Sequence, residues 1–128
     1  MLTEKDYCDY DTCVALKEIG FNEKCHGYYE PLKRYFNTTS IKHSWCNSEV
    51  NDMGVIICPT LYEAQKWMRE EKGIIVGIIN NFTIQAFDWY VSTWEEDLCR
   101  GNKYVSYEEA LSEGIKKAVK ILKDERID

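Results

Sequence analysis

No apolar stretch of this chain reaches the ~18 residues that a membrane-crossing helix needs. The longest, Ile74 to Ile79, is strand-sized and interrupted by Gly77. The chain opens Met1-Leu2-Thr3-Glu4-Lys5-Asp6, without the basic and apolar regions of a secretion signal, so a cytosolic location is expected and no membrane partner. Proline occurs twice and glycine seven times in 128 residues. That leaves no room for a long linker or a low-complexity tract, and the length suits one domain, 1–128. The glycines are scattered, so no phosphate-binding loop is encoded. Gly-x-Ser-x-Gly and His-Glu-x-x-His are absent too, which removes the commonest hydrolase and zinc-protease signatures.

Histidine is scarce, with only His26 and His43. The six cysteines (Cys8, Cys13, Cys25, Cys46, Cys58 and Cys99) include no Cys-x-x-Cys pair, so neither a zinc ribbon nor a dithiol redox site is indicated. Free thiols are expected in a reducing compartment. Cys13 and Cys58 lie among apolar residues and should pack as small hydrophobes. A nucleophile built on Cys25 or Cys46 with a histidine stays open as an alternative, because such partners need only meet in space. No metal, cofactor or catalytic residue is expected.

What the chain does contain is a globular pattern. Hydrophobic residues make up 45% and charged residues 30%, too apolar a mix for disorder. Cys13, Leu16 and Ile19 recur at helical spacing, with Gly20 placed to end a helix over residues 9–19 and Phe21 to pack back on it. Tyrosines from 26 to 36 suit a strand, interrupted at Pro31. Residues 37–54 read as a loop with at most a short strand, and Val55–Cys58 as a short strand. Thr60 and Glu63 form a capping box ahead of an apolar stripe of Leu61, Ala64, Trp67 and Met68, which predicts a helix to about Lys72. The run Ile74–Ile79 is expected as a strand covered on both faces or lying central in a sheet. Asn80-Asn81 is a turn candidate, followed by a strand from Thr83 to Thr93 with Phe87, Trp89 and Val91 on one face. Residues 95–103 are polar and read as a loop. A second capping box, Ser106 with Glu109, opens the clearest amphipathic helix, with Tyr107, Ala110, Leu111, Ile115, Ala118, Val119 and Leu122 on one side. The expected fold is α+β: a small antiparallel sheet with about three helices packed mainly on one face.

Charge is unevenly placed. The chain carries −6, but Pro31 to Ser48 holds Lys33, Arg34 and Lys42 and no acid, so this stretch is +3 and the rest of the chain −9. Tyr35, Phe36, His43 and Trp45 alternate with these cations. Cations beside aromatic faces are what a planar anion such as a nucleotide needs. The candidate ligand-binding set is Tyr29, Lys33, Arg34, Tyr35, Lys42, His43, Trp45 and Trp89. A strand and loop with solvated lysines and partly buried rings is the plainer reading of the same residues. The acidic remainder argues against duplex nucleic acid as a partner, since backbone binding relies on many cations. It leaves open an acidic surface directed at a basic protein.

Several phrases together resemble one family. They are Thr3-Glu4-Lys5-Asp6-Tyr7, Ala15-Leu16-Lys17-Glu18-x-Gly20-Phe21 with Glu23 and Cys25, Pro59-Thr60-Leu61-x-x-Ala64-x-Lys66-Trp67-x-Arg69-Glu70, and Tyr107-Glu108-Glu109-Ala110. The family is a group of small proteins without an assigned function from Bacteroides-type phages, prophages and mobile elements. The resemblance implies a setting in a host-cell cytosol and an accessory role, such as interference with host defence. It carries no catalytic residues with it. The leading expectation is therefore a non-enzymatic binding protein, a sponge for a small anionic ligand such as a signalling nucleotide. The alternatives are an interaction module that inhibits a host protein, and a small cysteine-dependent enzyme. A homodimer is an open expectation, because symmetric dimers are the commonest assemblies.

Overall fold

The computed structural model describes residues 2–30, 35–39 and 43–127. The chain is α+β, with helices packed on antiparallel sheets. Its strands divide into two three-stranded sheets, and its contacts cluster into two compact units, Met1–Thr60 and Leu61–Asp128.

In the first unit a 3-10 turn, Glu4–Asp6, precedes helix α1, Tyr10–Glu18. Asp9 caps α1 by accepting the Thr12 amide at 2.9 Å. The end of α1 is set by Gly20, whose φ of 101° lets the Phe21 amide reach back to the Leu16 carbonyl at 2.9 Å. That return buries Phe21 on Leu16, as the sequence pattern predicts.

Strands β1, Gly27–Glu30, and β2, Tyr35–Thr38, pair antiparallel, and β1 pairs on its other side with β3, Ile56–Cys58. Residues 31–34, where the interruption at Pro31 is expected, lie outside the described ones. Helix α1 packs on β3. Cys13, Cys58 and Cys8 are fully buried and pack as apolar residues. Burial pushes the Cys13 thiol well up, which keeps it protonated and inert. All six cysteines are free.

Residues 37–54, read as a loop, hold a short helix, α2, Asn47–Val50, and a 3-10 turn, Asn51–Met53. Two side chains explain it. Glu49 accepts the Cys46 amide at 3.0 Å, the geometry of a capping box on a residue type that seldom caps. Asn47 is buried and bridges two strands of chain, donating to the Phe21 carbonyl at 2.9 Å and accepting the Ile57 amide at 3.0 Å. Polar composition here encodes an internal tie rather than a solvated loop.

In the second unit helix α3, Leu61–Lys72, begins directly after Thr60 and buries the stripe Leu61, Ala64, Trp67 and Met68. Strands β4, Ile75–Asn81, β5, Ala86–Ser92, and β6, Asp97–Tyr104, form a meander with β5 central. Helix α4, Tyr107–Ile127, lies on it, started by the Ser106 hydroxyl accepting the Glu109 amide at 3.1 Å. Ala110, Leu111, Ile115, Ala118, Val119 and Leu122 are buried, as their spacing predicts. Each large side chain in such a stripe contributes about 1.5–3 kcal/mol of burial.

Strand β6 replaces the expected polar loop at 95–103. It is an edge strand, exposed along most of its length, and its register slips twice against β5. Lys103 takes a positive φ of 70°, and its amide donates to the Asp88 carboxylate at 3.2 Å. Bulges and charge of this kind blunt an open edge, and they also erase the alternation by which strands are read. Opposite Gly101 sits Trp89, whose indole occupies the space where a Cβ would stand. No helix among the described residues is long and apolar enough to cross a membrane.

Candidate functional site

The first unit carries a groove of about 390 Å³ beside the β1–β2 hairpin. That volume falls within the range of small-molecule sites, roughly 300–1,000 Å³. One wall is aromatic. Tyr7 and Phe36 meet at 4.8 Å between ring centroids, and Tyr29 backs Phe36 at 5.5 Å. Tyr7 is held there by backbone pairing with Thr60 and by the neighbouring Cys8 amide, which donates to the Pro59 carbonyl at 3.1 Å. Gly27 makes this possible, since a Cβ on it would stand 2.6 Å from the Cys58 carbonyl and 3.0 Å from the Tyr7 ring.

The rest of the lining is Leu2 and polar residues. Thr38 and Thr39 come from the end of β2, His26 from the start of β1, and Thr3 and Glu4 from the N-terminal turn. That turn is fixed by the Thr3 amide donating to the Asp6 carboxylate at 2.9 Å. His26 is fixed from behind. Its Nδ1 lies 2.5 Å from the His43 carbonyl oxygen, which also accepts the Thr39 hydroxyl. The Thr39 amide in turn donates to the His26 carbonyl at 2.8 Å.

The sequence-predicted residues are placed as follows. Tyr29 is 8% exposed, and its hydroxyl donates to the Cys8 carbonyl at 3.1 Å. Burial raises its phenol above the ordinary range. It therefore supports the aromatic wall from behind. Tyr35 stands opposite Glu30 in the β1–β2 register. His43 engages through its main chain, as the acceptor for His26 and Thr39. Trp45 pairs with Cys25 through two backbone hydrogen bonds, and its ring meets Tyr28 edge-on at 6.1 Å. Tyr28 and Tyr29 are successive strand residues and point to opposite faces, so Trp45 and Tyr29 do not share a face. Trp89 belongs to the second unit, where it faces α4 across Gly114. Its Nε1 is buried with no hydrogen-bond partner among the described residues. Lys33, Arg34 and Lys42 lie outside the described residues.

Of the groove residues, the sequence pattern singled out only the aromatic segment that contains Phe36. Tyr7, Glu4 and the threonines carry no spacing signal, because a pairing of Tyr7 with Thr60 across the whole unit has no local code. The one available hint was Gly27 between His26 and two tyrosines, a glycine inside a strand being a mark of close approach.

Other features are less suited to a ligand. A shallower depression of about 260 Å³ lies over Gly20, Phe21 and Asn47. Its amides are already used, Asn47 as above and Asn22 in accepting the Ser48 amide at 2.8 Å. The Cys25 thiol donates to the Glu23 carbonyl at 3.6 Å and the Cys46 thiol to the Glu49 carboxylate at 3.2 Å. No cluster of three or more metal-ligating side chains occurs among the described residues.

No protein-family model, no curated protein and no solved structure matches the chain. Function is therefore argued from the groove.

Proposed function

We propose that this chain is a non-enzymatic binding protein whose site is the groove between the N-terminal turn and the β1–β2 hairpin. The observation that carries this reading is the pairing of an aromatic wall, Tyr7 on Phe36, with a polar lining held by hydrogen bonds. A flat ring stacks on such a wall, and base–aromatic stacking contributes about 1–3 kcal/mol per ring. The polar groups then fix orientation. A nucleotide or nucleoside is the ligand class that answers both features. In the setting that the family resemblance implies, the protein would act by sequestering such a molecule, as a sponge for a cellular signal.

The test is a thermal-shift panel on the full chain, with nucleosides, mononucleotides, cyclic di- and trinucleotides and ADP-ribose derivatives. A ligand at ~100 times its dissociation constant adds ~2.7 kcal/mol and raises the melting point visibly. A flat panel removes this reading.

A second reading is a protein-binding module that uses the second unit. Phe82 is 83% exposed and Trp94 77%, both in turns of the β4–β5–β6 meander. Large aromatic side chains at that exposure are typical anchors for a partner. This reading predicts that Phe82→Ser or Trp94→Ser leaves the melting point unchanged and abolishes a complex isolated with the wild-type chain. Retention of the complex by both variants would remove it.

A further inference from the structure

Taking the groove as the ligand site, we propose that it selects an uncharged planar heterocycle that donates hydrogen bonds, of the amino-bearing nucleobase or nucleoside kind, in preference to a phosphate. The inference goes beyond the binding reading because it fixes the polarity of the ligand.

It starts from a carbonyl. The oxygen of His43 can only accept, so the Nδ1 that lies against it carries the ring proton. In the neutral imidazole this leaves Nε2 with a lone pair and no hydrogen. Nε2 is thus the polar atom that His26 has left to offer the groove, and it is an acceptor. The Thr39 hydroxyl donates to the same His43 oxygen, which holds the carbonyl in place and with it the tautomer.

The carboxylate among the described lining residues points the same way. Glu4 supplies a carboxylate, which accepts hydrogen bonds and repels anions. Among the described residues no lysine or arginine lines the groove. A bare phosphate would meet two acceptors there. A ring that carries an exocyclic amine meets both acceptors with donors, while its face lies on Phe36 and Tyr7. The cations of the segment that first suggested an anion site, at positions 33, 34 and 42, lie outside the described residues.

The test combines calorimetry and spectroscopy on the full chain at pH 8. Adenosine, cytidine, adenosine monophosphate and inorganic phosphate are titrated in turn. The nucleosides should bind, the monophosphate should bind no more tightly than adenosine, and inorganic phosphate should give no response. Long-range 15N spectra of the unaltered protein should show the Nδ1–H tautomer at His26 and a shift of Nε2 when adenosine is added. His26→Phe should weaken adenosine binding about tenfold. An Nε2–H tautomer in the free protein would overturn the inference, and so would tighter groove binding of the monophosphate or of phosphate than of adenosine. In those cases the groove would still be a ligand site, for anions. No response of any groove residue to any of the four would overturn the inference and the binding reading together.

Discussion

The carbonyl oxygen of His43 lies 2.5 Å from Nδ1 of His26, and this contact ties the far end of the 37–46 segment to the first residue before β1. It turns a surface histidine into an oriented one. It also gives His43 a role that its side chain does not have, as the backbone acceptor that sets the polarity of the groove.

The aromatic wall should show this organisation energetically. Phe36 is half-buried between Tyr7 and Tyr29. Phe36→Ala should cost about 2 kcal/mol of stability, less than the roughly 3–5 kcal/mol of a fully buried phenylalanine. It should abolish ligand-induced stabilisation at the same time. Urea denaturation with and without the ligand found in the panel measures both.

Asn47 is expected to be among the most sensitive polar positions of the first unit. Its amide serves the Phe21 carbonyl and the Ile57 amide, both away from water. Asn47→Ala takes the side-chain partner from two buried backbone groups, each loss costing about 1–3 kcal/mol. A loss of about 2–4 kcal/mol in chemical denaturation is expected. A loss within about 0.5 kcal/mol, the usual range for surface substitutions, would mean that water replaces the side chain.

These two sites show which parts of the molecule were legible in the sequence. The stripe Ala110, Leu111, Ile115, Ala118, Val119 and Leu122 was readable because a helix packed on a sheet must bury one face at fixed spacing. The Gly20–Phe21 stop was readable for a similar reason, since its chemistry is local. Asn47 was not, because an asparagine in a polar run looks the same whether it faces water or bridges two backbone segments. Strand β6 was missed because it is an edge with exposed polar residues, two register slips and a glycine that holds no side chain beneath Trp89. At the groove, Phe36 was visible as part of an aromatic segment, whereas Tyr7 and Glu4 reach the site only through long-range pairing.

Gly101 offers a test of the second unit. A methyl group there would run into the Trp89 indole, which lies against Gly114 of α4 on its other side. Gly101→Ala should therefore displace the indole and cost about 1–3 kcal/mol through overpacking. Near-ultraviolet circular dichroism should report the altered tryptophan environment, and a thermal melt the lost stability. An unchanged spectrum would mean that β6 yields instead.

Stability should also depend on acid through Glu49. Its carboxyl is held below the usual carboxylate range, first by the Cys46 amide, then by the Cys46 thiol and by Lys24. The fold therefore favours the ionised form. This contribution is present above the ordinary carboxylate value and is lost as pH falls through the lowered one. Melting curves of wild type and Glu49→Gln should differ near pH 7, with the wild type more stable, and should converge in acid once the pH lies below the lowered value. A difference that persists in acid would show that the capping contact does not depend on charge.

The most direct test of the binding account is an amide chemical-shift map of the full chain during titration with the best ligand from the thermal panel. The account predicts perturbations centred on His26, Gly27, Phe36, Thr38 and Thr39, with Tyr7 following. Perturbations centred on Phe82 or Trp94, or none above background at saturating ligand, would contradict it.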